Sequence, residues 1–129
     1  MAWVELVSVL ALLQYMWFGV QVGGARGKYS IKAPAVSGHE VFERIYRVQM
    51  NTLEQLVVFL PVLWMAARYW NPVWMAAIGA VYLVGRMIYR NSYIKDPGSR
   101  TLGFALTFFP SMVLLLATLV GAVMALLKV

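Results

Sequence analysis

Glu43, Arg47, Asn51 and Glu54 follow one another at steps of 4, 4 and 3 residues, the spacing that stacks side chains on one face of an α-helix. Tyr82, Arg86, Tyr89 and Tyr93 repeat the pattern at steps of 4, 3 and 4. Each stripe runs into an apolar stretch with no turn signal between them, so the polar groups stand where a membrane begins. Ionisable side chains are costly at that depth and should face protein or a water-filled cavity, which makes a functional site the default reading. Arg100, just after the turn Asp96-Pro97-Gly98-Ser99, opens a further apolar run.

Several arginines, the carboxylate of Glu54, the amides of Gln49 and Asn51 and three tyrosines suit a small zwitterion with more negative than positive charge. Arginine grips carboxylates in bidentate fashion, Glu54 can hold an ammonium, and the amides can pair with peptide groups. A glutathione-like peptide has two carboxylates, one amino group, two amides and a thiol. That thiol would supply a nucleophile that this chain, which has no cysteine, cannot.

The elements that must carry these stripes are helices crossing a membrane. Of 129 residues 62% are hydrophobic and 12% charged, about half the charge of an ordinary soluble domain. The length allows one domain, residues 1–129, folded as an all-α integral membrane bundle of four transmembrane helices near 2–22, 38–70, 72–93 and 100–127. The first run lacks a basic leader and a small-residue cleavage pattern, so it reads as a mature helix rather than a signal peptide. Gly23, Gly24 and Gly27 are expected to end it, leaving Arg26, Lys28 and Lys32 in a loop. Ser37 with Glu40 makes a capping box for the second helix, and Asn71-Pro72 a tight reversal into the third.

The net charge of +6 does not point to nucleic acid, because the basic residues sit at span ends. Nine of the eleven, all but Arg68 and Lys128, fall on one side of the membrane. The positive-inside rule makes that side cytoplasmic and puts both termini opposite.

The stretch FERIYRVQMNTLEQLVVFLP, residues 42–61, resembles the second-helix motif of the MAPEG family, membrane-associated proteins in eicosanoid and glutathione metabolism. VYLVGRMIYRNSYIKDPGSR, residues 81–100, resembles the end of that family's third helix and the arginine that opens its fourth. The resemblance implies a homotrimer that binds glutathione as co-substrate between neighbouring subunits near the cytoplasmic surface. It implies conjugation of lipophilic electrophiles, or reduction of lipid hydroperoxides, as in microsomal glutathione transferases. Carried over by position, Arg26, Arg47, Gln49, Asn51, Glu54, Tyr89 and Tyr93 are glutathione-contacting, and Arg100 is the catalytic residue that stabilises the thiolate. Arg86, on the face shared with Tyr89, joins the glutathione-binding set, with a topology anchor as its alternative. The leukotriene-forming branch has a tyrosine where Gln55 stands and a tryptophan where Met112 stands, which favours a general transferase or peroxidase. The compact loops point to a bacterial inner membrane.

Two other functions fit the same helices. A non-enzymatic scaffold for fatty acids or other lipids belongs to the same family, although Arg100 and Glu54 speak for the enzyme. A small proton-coupled drug exporter needs a carboxylate near the bilayer midplane. Glu5 lies too near a span end for this, and Glu54 lies beside arginines. His39, the single histidine, has no second histidine or cysteine nearby, so no metal site is expected.

Overall fold

The computed structural model describes residues 1–128 and contains four long helices: α1 (Ala2–Tyr29), α2 (Glu40–Tyr69), α3 (Pro72–Lys95) and α4 (Thr101–Leu127), with a single 3₁₀ turn at Pro97–Ser99. All four are long and apolar enough to cross a membrane. At 24 to 30 residues each, they reach roughly 36–45 Å, beyond the hydrocarbon thickness of about 30 Å. Their ends therefore extend into the interfacial layers.

α2 and α3 form the central hairpin, and each packs on all three other helices. Asn71 makes the reversal as expected: its Oδ1 accepts from Val73 N at 2.9 Å, and Pro72 fills the first helical position, where no amide hydrogen is needed. The core follows the hairpin. Phe59 of α2 stacks on Tyr82 of α3 with centroids 3.8 Å apart, among Val7, Leu56, Leu63 and Leu114 from the other helices and α2 itself. Outside it, Trp3, Leu13, Val57, Trp74, Phe109 and Leu119 are exposed on the bundle surface, as lipid-facing side chains should be.

Three boundaries differ from the sequence reading, α3 running two residues further than expected, to Lys95. α1 does not stop near Val22; it continues through Gly23, Gly24 and Gly27 to Tyr29 and ends at Ser30 in the left-handed conformation, φ 55°. Glycine weakens a helix by only about 1 kcal/mol. Here Val22, Ala25 and Ile31 pack on Phe42 of α2, and that tertiary contact outweighs the local preference. The N-cap of α2 lies two residues after the expected Ser37. Gly38, at φ 136°, turns the chain there, so His39 becomes the N-cap, with its Nδ1 accepting from Val41 N at 3.1 Å. Glu43, not Glu40, reaches back, accepting from Gly38 N at 3.1 Å.

α4 is drawn against α3 by two glycines. A Cβ on Gly103 would stand 2.3 Å from Tyr89 N, and one on Gly85 would stand 2.6 Å from the Leu106 carbonyl carbon. This close approach puts the start of α4, with Arg100, beside the tyrosine stripe of α3.

Candidate active site

At the basic end of the bundle, α2, α3 and α4 enclose a cavity of about 310 Å³ lined by Arg47, Asn51, Tyr89, Tyr93, Pro97, Arg100 and Phe104. Arg47 and Asn51 of one stripe, Tyr89 and Tyr93 of the other, and Arg100 therefore converge on one space, while Glu54 lies beside it in the adjoining groove. Arg47 Nη1 lies 3.2 Å from Glu54 Oε1 two turns along α2, both side chains about half exposed. Tyr89 and Tyr93 stack with ring centroids 5.5 Å apart and form an aromatic wall. Arg100 caps α4, and its Nη1 donates to Pro97 O at 2.8 Å, which holds the guanidinium on the 3₁₀ turn at the cavity's edge.

Phe104, one turn into α4, continues the site toward lipid. It borders this cavity and also a narrower apolar groove of about 230 Å³ between α2 and α4, where Glu54, Gln55, Val58, Phe108 and Met112 line the walls. A charged chamber thus adjoins an apolar one. The sequence motifs mark Pro97 only as part of a turn and do not mark Phe104. Phe104 lies four residues after Arg100, hence on the same helix face, and that spacing was the available signal.

Not every sequence-derived candidate joins the chamber. Arg26 lies on the last turn of α1, where its Nη1 donates to Ala35 O at 2.7 Å and its guanidinium lies over Phe42. Gln49 lies over Gly19 of α1, whose added Cβ would be 2.8 Å from Gln49 Nε2. Neither lines the cavity of its own chain. Arg86 is fully buried behind the chamber wall rather than extended to the membrane surface. Arg90 donates to Gln21 Oε1 at 2.9 Å, and Arg44 pairs with Glu40 and also donates to Ile94 O at 3.1 Å, both away from the cavity.

A sequence profile described as the MAPEG family matches residues 4–120. The chain belongs to the MAPEG family. It is a four-helix, multi-pass integral membrane protein. Among proteins similar to it, an uncharacterized Synechocystis protein is 44% identical over 119 residues, covering 92% of this chain and 87% of that protein. Human microsomal glutathione S-transferase 2 is 41% identical over 116 residues, 90% of this chain and 77% of the relative. Bovine leukotriene C4 synthase is 35% identical over 94 residues, 73% of this chain and 63% of that enzyme. In this MAPEG chain the matched segment includes every residue of the chamber.

Proposed function

We propose that the chain is a membrane-bound glutathione transferase with glutathione peroxidase activity, which activates glutathione as its thiolate and delivers it to lipophilic electrophiles or lipid hydroperoxides. The observation that carries this reading is the convergence of Arg47, Asn51, Tyr89, Tyr93 and Arg100 on one chamber that shares Phe104 with an apolar groove. A charged peptide needs the first space and a lipid-soluble acceptor needs the second. The similarity to human microsomal glutathione S-transferase 2 and to leukotriene C4 synthase supports the same chemistry.

In this mechanism Arg47 binds a peptide carboxylate and Glu54 binds the ammonium, while Tyr89 and Tyr93 pack against the peptide. Arg100 faces the sulfur. Free thiols have a pKa near 8.5, and lowering that by about 2 units takes roughly 2.7 kcal/mol of preferential interaction with the anion, within reach of one guanidinium in a partly desolvated site. The thiol's proton goes to solvent as the thiolate forms; the thiolate then attacks the electrophilic carbon, a carbon–sulfur bond forms, and the leaving group departs as an anion with the bonding pair. With a hydroperoxide, sulfur instead takes the distal oxygen and alcohol leaves. A second glutathione then yields the disulfide and water. No covalent enzyme intermediate is required, because holding both reactants together accounts for much of the rate.

The positions of Arg26 and Gln49 outside their own chain's chamber support a homotrimer in which they complete the site of a neighbouring subunit. The charge distribution supports an orientation with the chamber at the cytoplasmic side and both termini opposite, and the compact loops favour a bacterial inner membrane. The test is to add glutathione to purified protein and follow thiolate absorbance. Wild type should form thiolate at neutral pH and Arg100→Ala should not; equal thiolate in both would remove Arg100 from its assigned role.

A further inference from the structure

Arg86 has no exposed surface at all, yet no carboxylate lies within 4.0 Å of it; the ion pairs among the described residues are Arg44–Glu40 and Arg47–Glu54. Its partners are neutral and come from two other helices. Nε donates to Thr107 Oγ1 of α4 at 3.0 Å, and Nη1 donates to Asn51 Oδ1 at 2.8 Å and Thr52 Oγ1 at 3.2 Å on α2. Nη2 has no partner, and the guanidinium carbon sits 4.2 Å from the centroid of the Tyr89 ring. Thus Arg86 touches two residues of the chamber, Asn51 and Tyr89, without lining it.

The contact with Asn51 has a directional consequence. A guanidinium has five donors and no acceptor, so the Asn51 amide must turn its oxygen toward Arg86. The amide nitrogen, with two donors, is then left for the chamber, where Asn51 keeps 8% of its surface exposed. We propose that Arg86 is a positioning residue that fixes Asn51 as an obligate hydrogen-bond donor to a carbonyl or carboxylate of the peptide substrate. It makes the chamber selective for acceptors at this point, and it does so from behind the site. This inference rests on the glutathione reading for the identity of the peptide. The donor polarity of Asn51 depends only on the Arg86 contact.

Two variants separate this role from plain packing. Asn51→Asp retains the contact with Arg86 and turns it into a buried ion pair, but it presents a carboxylate oxygen where two donors stood. In full-length protein in detergent or nanodiscs, its thermal midpoint should match or exceed wild type while glutathione affinity by calorimetry falls about tenfold or more. Arg86→Lys keeps the charge and loses the fork. It should raise the KM for glutathione by about tenfold with little change in kcat, and in an Asn51→Ala background it should add less than about twofold, because residues acting through one contact are not additive. Wild-type affinity in Asn51→Asp, or effects of Arg86→Lys and Asn51→Ala that multiply in full, would overturn the proposal. If wild type itself fails to bind glutathione, the peptide assignment falls. The Asn51→Asp thermal midpoint still tests the Arg86 contact: a midpoint well below wild type would overturn it.

Discussion

Arg47 and Glu54, two turns apart on α2, make an ion pair at 3.2 Å with both side chains about half exposed. Exposed pairs of this kind contribute about 0–1 kcal/mol, too little to explain a carboxylate at the membrane boundary through stability alone. Glu54→Gln should therefore leave the thermal midpoint nearly unchanged while raising the KM for glutathione, since the ammonium of the peptide loses its partner; a large fall in midpoint with unchanged KM would make Glu54 structural. In the proposed mechanism Arg100 acts on a different quantity. By favouring the anion it should move the pH midpoint of thiolate formation below about 8.5, so that thiolate persists at lower pH, and Arg100→Ala should shift the midpoint back up toward that value. The Glu43, Arg47, Asn51 and Glu54 stripe was legible because helical spacing alone puts those residues on one face. The place of Arg86 was not. An arginine near the end of a span reads equally as a surface anchor, and what buries this one is its contact with Asn51, Thr52 and Thr107, residues remote in sequence.

At the scale of elements, the site depends on how closely α4 approaches α3. Gly103 rests on the backbone of Tyr89, with 2.3 Å between an added Cβ and the amide nitrogen, and backbone cannot yield as a flexible side chain can. Gly103→Ala should push the first turn of α4, carrying Arg100 and Phe104, away from Tyr89. Overpacking of this type costs about 1–3 kcal/mol, so the thermal midpoint and kcat should fall together, measured by scanning calorimetry and a conjugation assay. By contrast, Gly23, Gly24 and Gly27 have open space around them, and alanine there should be neutral or stabilising for α1. The same difference explains what the sequence reading of elements got right and missed. Asn71-Pro72 is local chemistry and was readable. The persistence of α1 through three glycines depends on Phe42 receiving Val22, Ala25 and Ile31, and no window of local sequence contains that contact.

At the scale of the whole molecule, the split between chamber residues and Arg26 with Gln49 gives the proposed trimer a consequence that can be measured. Arg26 is fixed to its own Ala35 and Phe42, and Gln49 to α1, so neither side chain lines the chamber bounded by Arg100 of the same chain. If each site takes Arg100 from one subunit and Arg26 from the next, Arg26→Ala and Arg100→Ala are defects in different halves of a shared site. Either variant alone should lose most glutathione-conjugating activity. Co-expression of the two in equal amounts, with random assembly, leaves a site intact whenever a chain with Arg100 meets a neighbour with Arg26, which is about one site in four in a closed cyclic assembly. Activity should return to roughly that fraction of wild type. Mixing the two separately purified variants, without subunit exchange, should restore nothing. Co-expression without recovery would place the complete site within one chain, and the membrane bundle would then act as an independent unit whose assembly serves another purpose.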